Sequence, residues 1–464
     1  MSNLSTFNNF YLNLSQSAYE DRPNSFYKRL NKVENAAYFD FSKEYKDPQI
    51  KIEGGKNLPN EGVVYVHKDK TVQTAIEMKS VDNEYAYKKG LLLNQKDGFN
   101  AYFLTDTSEL NTDTKNAYLA VKGSDVPSLK KLGAISNDWL GNNYRFVLHD
   151  EYIQQGKLVE EALHVKLAEL REKAPNAKLN MTGHSLGSIA SVQGAAHLSV
   201  EELQQIGEIV VLNGPDTLKS LRKSGVSEEV IQILNEKVTY YVNPFDIVSM
   251  LNRNTDEQLG KVKVIVPFNF STTFDTPSSH DFGEYRIHSD GKILEATEDF
   301  FPAYLKAGEK LSKLLNKYIE LIKEGNSKFG LDKIGDPAEV LLTLVNGGLN
   351  YSKFMEEYQK IVAETKLEVI TWGRKNIQLL QEKLLYTNGA ERIKLRSELS
   401  LTLSHISRIE SDDKVSTVLK QLEEYKQRVK TLTESAYKEA ANVTLYLEIS
   451  EFQAIISEFN FEEN

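Results

Sequence analysis

The pentapeptide Gly183-His184-Ser185-Leu186-Gly187 is the feature that most restricts the fold of this 464-residue chain. It lies between the β-type run KLNMT and the helical pattern SIASVQGAAHLS. A serine at the centre of G-x-S-x-G can occupy a strained turn from strand to helix, because the glycines carry no Cβ that would hold the two backbones apart. The sequence therefore predicts that the Ser185 hydroxyl projects above a strand end, where a helix N-terminus favours developing negative charge.

Residues 1–298 alternate short β-type runs with helical patterns, as βαβ units require. We therefore predict an α/β fold with a mostly parallel sheet, in which a polar turn joins the second and third strands as a hairpin. A helical pattern between Asp150 and Ala174 supplies a crossover before the pentapeptide. The seven predicted strands begin at Gly62, Phe99, Asn116, Lys178, Glu208, Lys237 and Lys261.

The pattern changes near residue 299 to long amphipathic stretches rich in Lys, Glu and Leu. We predict a domain boundary there, with residues 299–464 forming an all-α hairpin or bundle of three to four long helices. The NGG at Asn346 and the TNGA at Thr387 should end helices. An a/d seam should pack on another helix, either within the bundle or on a partner; it consists of Val415, Val418, Leu422, Tyr425, Val429, Leu432 and Ala436.

Composition restricts the chemistry and the partners. The chain has no cysteine, which excludes disulfides, a thiolate nucleophile and thiolate metal ligands. A formal net charge of -10 disfavours a nucleic-acid partner. No metal-binding motif is present, so we expect neither a metal nor another cofactor. We also expect no Sec signal peptide and no transmembrane segment, because no stretch combines a basic start with an apolar run or approaches about 18 apolar residues.

A serine hydroxyl needs a base, and the base needs an orienting carboxylate. A serine elbow on a parallel sheet is the arrangement of α/β-hydrolases, in which the acid and then the histidine follow the serine along the chain. Asp246 in VNPFDIVS and Asp216 in NGPD each follow a predicted strand. We favour Asp246, which is one strand further from the elbow, and interpret Asp216 as a helix N-cap.

Three histidines lie downstream of Asp246. We favour His280 as the base, because it lies in the polar loop TPSSHDFGEY and catalytic groups are commonly carried on loops. His288, in YRIHSDGK, is the alternative. His405 is expected to pack on a helix face, and His184 is expected to be a buried packing residue.

The oxyanion donors are expected to be two backbone N–H groups. One belongs to Leu186, the residue after the nucleophile, and the other to an upstream loop. The segment LAVKGSD offers Gly123 and Ser124 for the second position, and we assign it to Ser124.

The segments AVKGS, GHSLGS, VNPFDIV and SSHDFGEY, in this order, resemble the class 3 lipase group of α/β-hydrolases. The resemblance covers roughly residues 60 to 295 and implies a serine lipase. In that family an RGT-like tripeptide forms the oxyanion loop, and Lys122, Gly123 and Ser124 stand in its place here. The family usually reads GHSLGG, so Ser188 replaces the last glycine.

The order of the two predicted domains resembles a type VII-secreted phospholipase toxin of the staphylococcal kind, with a C-terminal LXG-like helical domain. That resemblance implies phospholipase A-type hydrolysis of phospholipid at the membranes of rival bacteria. It also implies small WXG100-like export partners on residues 299–464, and an immunity lipoprotein. The alternatives are a triacylglycerol lipase or esterase of general metabolism, a hydrolase of non-lipid esters or peptides, and a non-catalytic binding module that uses the helical domain.

Overall fold

The computed structural model describes residues 8–19, 36–40, 51–52, 62–67, 73–79, 84–123, 144–253, 257–268, 270, 279–288, 291–328, 337–411, 427 and 431. The chain divides into two compact units. The first comprises Met1–Val242, Leu251–Lys263 and Arg286–Leu294, and the second comprises Asn243–Met250, Val264–Tyr285 and Glu295–Asn464. The units thus interleave along the chain, whereas the predicted boundary between residues 298 and 299 is a single cut.

The described strands, in chain order, are β1 (Ala36–Asp40), β2 (Lys51–Ile52), β3 (Val63–His67), β4 (Gln73–Lys79), β5 (Glu84–Lys89), β6 (Leu93–Asn94), β7 (Phe99–Thr105), β8 (Asn116–Val121), β9 (Lys178–His184), β10 (Ile206–Leu212), β11 (Val238–Val242), β12 (Lys261–Val264) and β13 (Arg286–Ile287). One sheet has the order β12-β11-β10-β9-β8-β7-β6-β5-β4, with β3 paired to both β7 and β1. Strand β13 pairs with β2 in parallel. All seven predicted strands are confirmed, as β3 and β7 to β12.

The centre of the sheet is parallel. Strand β9 pairs in parallel with β8 and β10, and β10 pairs in parallel with β11. Strand β7 pairs antiparallel with β8, which confirms the predicted hairpin. The central strands are apolar along most of their length because both faces of such a sheet are covered by other elements. The carboxyl ends of β8, β9, β10 and β11 consequently point in one direction, which is where a site on an open α/β sheet is expected.

The helices of the first unit are α1 (Asn8–Tyr19), α2 (Tyr144–His149), α3 (Gln154–Lys173), α4 (Leu186–Ala196), α5 (Val200–Gln205), α6 (Leu218–Lys223) and α7 (Glu228–Lys237). Helix α3 confirms the predicted crossover. Every residue of α4 is buried, and its many small side chains allow close packing on the sheet. Helix α1 packs on β7 to β10, with the ring of Phe10 edge-on to Tyr118 at 5.1 Å.

The second unit contains α8 (Ile247–Met250), a short 3-10 helix (Phe282–Glu284), α9 (Ala303–Lys328), α10 (Pro337–Tyr386) and α11 (Gly389–Ser411). Helix α10 packs on both α9 and α11. Lys310 pairs with Glu364, and Lys317 pairs with Glu357, so α9 and α10 run antiparallel. This helical C-terminal region agrees with the predicted change of structure after the sheet.

The predicted helix break at Asn346 is wrong, because α10 continues through it from Pro337 to Tyr386. Two glycines in a helix cost about 1 kcal/mol each relative to alanine, a weak preference that packing along a 50-residue helix offsets. The break at Thr387 is confirmed, and Gly389 has a φ of 67° at the start of α11. The a/d seam from residue 415 to 436 lies outside the described residues apart from 427 and 431, so the bundle remains a prediction.

None of the helices in the described part of the chain is both long enough and apolar enough to cross a membrane.

Candidate active site

Ser185 occupies the turn between β9 and α4. Its φ is 56°, a conformation that costs a residue with a Cβ about 1 to 3 kcal/mol unless the surroundings enforce it. The Ser185 N–H donates to the carbonyl oxygen of Leu212 at 3.1 Å, which ties the turn to the end of β10. Ser185 is partly exposed while the residues on both sides of it are buried. The turn therefore presents one hydroxyl at the carboxyl end of the sheet.

The elbow glycines leave no room for side chains. A Cβ on Gly183 would overlap the carbonyl oxygen of Gly187, and a Cβ on Gly187 would overlap the carbonyl oxygen of Val121. Strand β9, the start of α4 and the end of β8 thus approach one another at backbone contact distance. This is the steric reason for both glycines of the pentapeptide.

Ser188 stands one turn into α4, close to the end of β10. Its hydroxyl lies 3.0 Å from the carbonyl oxygens of both Gly183 and Leu212 and can donate to either. A Cβ on Gly214 would overlap the Cβ of Ser188. The serine therefore fits because residue 214 is a glycine. Sequence reasoning missed this compensation, although the glycine of NGPD lies two residues after the last residue of β10.

Of the two predicted oxyanion donors, Leu186 belongs to the described residues. Leu186 is the first residue of α4, so its N–H is one of the first-turn donors that no helical carbonyl accepts. Gly123 follows β8, and its N–H nitrogen would lie 3.1 Å from a Cβ built on Gly187, so this segment touches the elbow. Ser124 lies outside the described residues, and its assignment stays a prediction.

His184 is buried, as predicted, and belongs to the packing of the elbow. Its Nδ1 lies 3.0 Å from the hydroxyl of Tyr19, the last residue of α1. The rings of the two residues meet edge-on, with their centroids 5.4 Å apart. The histidine beside Ser185 is therefore held by the N-terminal helix.

Asp246 closes a tight turn after β11. Its N–H donates to the carbonyl oxygen of Asn243 at 3.1 Å, and the Asn243 side-chain oxygen accepts the N–H of Phe245 at 3.0 Å. The carboxylate is fully buried and caps α8, where it accepts the N–H groups of Val248 and Ser249 at 3.0 Å. It also accepts the hydroxyl of Ser249. This set of donors holds the carboxylate in one orientation.

His280 lies against this carboxylate, with 2.8 Å between its Nδ1 and Oδ2 of Asp246. Because a carboxylate can only accept, Nδ1 is the protonated nitrogen and Nε2 is left to accept a proton. Burial alone would lower the pKa of His280, but the charge and hydrogen bond of Asp246, helped by Asp281, raise it above the usual value. The imidazole side chain keeps 21% of its surface exposed. A proton can therefore reach it.

Two further hydrogen bonds connect the segment of His280 to the turn of Asp246. The Asn243 side-chain amide donates to the carbonyl oxygen of Ser279 at 2.8 Å, and the Ser279 hydroxyl donates to the carbonyl oxygen of Phe245 at 3.3 Å. Sequence reasoning missed both residues. The available signals were the Asn-Pro pair, which favours a turn, and a serine directly before the histidine.

The alternative acid is buried as well, but it has other partners. Oδ1 of Asp216 accepts the N–H of Leu218 at 2.8 Å, and Oδ2 accepts the N–H of Leu259 at 2.9 Å. The N-cap of α6 is Thr217, so the prediction that Asp216 is the N-cap is wrong by one residue, although its carboxylate accepts the N–H of the first residue of the helix. Burial raises the pKa of Asp216 even though the charge of Arg253 acts against it.

The two alternative histidines lie in different surroundings. His288 follows β13, and its N–H donates to the carbonyl oxygen of Lys292 at 2.7 Å. His405 is buried on α11, and its Nε2 lies 2.7 Å from the Tyr304 hydroxyl. The prediction that His405 packs on a helix face is confirmed.

The structure thus brings Asp246 and His280 together within the second unit and forms the elbow of Ser185 within the first. Within the described ranges, no group of three or more His, Cys, Asp or Glu side chains is arranged to hold a metal ion. A hydroxyl on a strained turn and an imidazole polarised by a carboxylate are components that nucleophilic catalysis by a serine requires.

Residues 118–254 match the family model described as Lipase (class 3). The match includes Ser185 and Asp246 and ends before His280. No curated protein and no solved structure matches the chain. The family match supports a class 3 lipase-like domain with the activity that this family implies, the hydrolysis of lipid esters by a serine hydrolase.

Proposed function

We propose that this chain hydrolyses carboxylic esters of lipids through an acyl-enzyme formed on Ser185. The observation that carries the proposal is the hydrogen bond between His280 and the buried Asp246, in a chain whose strained serine turn precedes both. Serine, acid and histidine follow one another in the order that an α/β-hydrolase requires. The class 3 lipase match over the first two of these residues adds independent support.

In the proposed reaction the Ser185 oxygen attacks the ester carbonyl carbon, and Nε2 of His280 takes the hydroxyl proton. The C–O bond to the alcohol then breaks, and His280 returns the proton to the departing oxygen. Water repeats these steps on the acyl-enzyme and releases the fatty acid. Asp246 holds the imidazole, and the N–H groups of Leu186 and Ser124 bind the oxyanion; loss of one such donor costs about 100- to 1000-fold in turnover.

The proposed substrate is phospholipid at a membrane surface, with phospholipase A-type cleavage by an antibacterial toxin that leaves the cell by a type VII route. The support is the order of a lipase part and a helical part, which resembles such toxins. The long helices α9 to α11 are surfaces of the kind that a helical partner packs on, and we assign to residues 299–464 the binding of small WXG100-like export partners. An immunity lipoprotein would neutralise the lipase in the producing cell.

A fluorophosphonate probe followed by peptide mapping tests the nucleophile. We expect the label on Ser185 in the full chain, and loss of both labelling and ester hydrolysis in Ser185→Ala. Ser191→Ala is the matched control, since Ser191 is a buried serine on α4, the helix that follows Ser185, and is not assigned to the reaction. Hydrolysis that survives in folded Ser185→Ala protein would remove Ser185 from the mechanism.

The substrate class is tested by product analysis. We expect phosphatidylglycerol vesicles to yield lysophospholipid and fatty acid, both identified by mass spectrometry. A clear preference for triglyceride emulsions would instead favour a metabolic lipase. Cleavage of peptides or of water-soluble esters alone would favour the non-lipid hydrolase.

A further inference from the structure

The turn that carries Asp246 is hydrogen-bonded to helix α10. The hydroxyl of Tyr358 donates a hydrogen bond to the carbonyl oxygen of Phe245, across 113 residues of chain. Both side chains are completely buried. Phe245 directly precedes Asp246, so this bond restrains the peptide unit that joins the two residues.

Helix α9 completes the support around Phe245. The Phe245 ring lies 5.1 Å from that of Phe270 and 6.0 Å from that of Tyr304, measured between centroids. A Cβ on Gly308 would lie 3.3 Å from the sulfur of Met250, so α8 and α9 also pack closely. The turn and α8, the helix that Asp246 caps, therefore pack on α9, and the turn is also hydrogen-bonded to α10.

The Phe245 carbonyl is also the point at which the segment of His280 is attached. It accepts the Ser279 hydroxyl at 3.3 Å in addition to the Tyr358 hydroxyl. One oxygen atom thus links α10, the turn of the acid and the residue before the base. Without the Tyr358 hydroxyl, this buried carbonyl keeps the longer bond from Ser279, and its orientation is less restrained.

We propose that Tyr358 is a positioning residue, whose hydroxyl sets the geometry of the Asp246–His280 pair through the Phe245 carbonyl. The inference rests on the proposed function, since it concerns the acid and base of that reaction. Helix α10 lies outside the class 3 lipase match, and the proposal gives it a role in orienting His280.

The variant Tyr358→Phe removes the hydroxyl and keeps the ring, which lies 6.0 Å from that of Phe354. We expect kcat to fall about 10- to 100-fold with KM unchanged, because small displacements of reacting groups cost rate rather than binding. The acid limb of the pH profile should move to lower pH, since a loosened Asp246 contact raises the pKa of His280 less; Asp246 and Asp281 are the charged groups that raise it. Tyr318→Phe, a tyrosine on α9 that also packs on Phe354, is the control and should change neither quantity.

A second readout does not depend on turnover. In wild-type protein with ¹⁵N-labelled histidine, the proton between His280 and Asp246 should give a downfield NMR resonance, assigned by its loss in Asp246→Asn. Tyr358→Phe should shift or broaden this resonance, and Tyr318→Phe should leave it in place. Because the signal needs no substrate, it separates failure of this inference from failure of the proposed hydrolase.

Folded Tyr358→Phe protein with wild-type kcat, pH profile and NMR resonance would overturn the proposal. If Tyr358→Phe does not fold, Ser279→Ala removes the other hydroxyl donor to the same carbonyl. We then expect a smaller change of kcat and of the resonance in the same direction. Wild-type values for Ser279→Ala in that case would equally overturn it.

Discussion

Two neighbouring strands of the sheet end in similar sequences and lead to different aspartates. Residues 213–216 read NGPD after β10, and residues 243–246 read NPFD after β11. Both carboxylates are buried, and each accepts two backbone N–H groups. Burial, a position after a strand end and the acceptance of backbone N–H groups near the start of a helix are therefore common to Asp216 and Asp246.

The two aspartates differ in the ionisable group that the rest of the chain brings to them. Asp216 experiences the charge of Arg253, a guanidinium that stays protonated in proteins. Asp246 holds an imidazole, which can gain and lose a proton near neutral pH. The comparison teaches that the acid of a catalytic pair is recognised by its partner rather than by its place on the sheet.

The largest contrast is expected from Asp246→Asn. An amide at this position favours the wrong tautomer of His280, so kcat for ester hydrolysis should fall about 10⁴-fold while the protein stays folded. Steady-state kinetics together with circular dichroism check both parts. A decrease of less than tenfold would mean that Asp246 does not orient the base.

Gly214→Ala tests the first strand end. The new methyl group would overlap the Cβ of Ser188, and we expect a loss of about 3 kcal/mol in unfolding free energy, at the upper end of the cost of overpacking. Chemical denaturation measures this loss, and Ser188→Gly in the same chain should restore most of it. An equal loss with and without Ser188 would show that the two positions do not share this space.

Asp216→Asn should act on stability and not on catalysis. The amide replaces one of two acceptors for buried N–H groups, which costs about 2 kcal/mol, while kcat stays within a few-fold of wild type. Thermal unfolding and ester hydrolysis are measured on the same preparation. A loss of turnover as large as that of Asp246→Asn would reverse the assignment of the two aspartates.

The smallest expected effect is a displacement of the pH profile. The base must be neutral, and Asp246 raises the pKa of His280, so kcat/KM should fall with decreasing pH around a midpoint above the ordinary histidine value of about 6.5. Asp246→Asn should move this midpoint to lower pH, and Asp216→Asn should leave it unchanged. A wild-type midpoint below the ordinary value would contradict the raised pKa.

Local patterns predicted much of this structure. Strands β8 to β11 and the turn at Ser185 could each be predicted from a segment of about ten residues or fewer. This is possible because strand patterning and the contact between the two elbow glycines depend on residues that are close in sequence. The choice of Asp246 over Asp216 and of His280 over His288 came from strand order and loop position. The structure places the favoured pair in contact, while the catalytic roles of its members stay a prediction.

Other features depend on contacts that no local pattern encodes. Helix α10 passes through Gly347 and Gly348 because packing elsewhere outweighs a weak local preference. The overlap of residue 214 with Ser188, and the bond from Tyr358 to Phe245, join positions far apart in sequence. Only the folded chain shows which carbonyl a distant hydroxyl reaches.

Phe245 and Tyr358 are 113 positions apart in sequence, so the two ends of their hydrogen bond are synthesised at different times. At about 5 to 20 residues per second, a ribosome makes the carbonyl about 6 to 23 seconds before the hydroxyl that binds it. During that interval the nascent chain already contains the serine turn but lacks the helix that steadies the acid. Completion of the support is thereby deferred until most of the polypeptide has been translated.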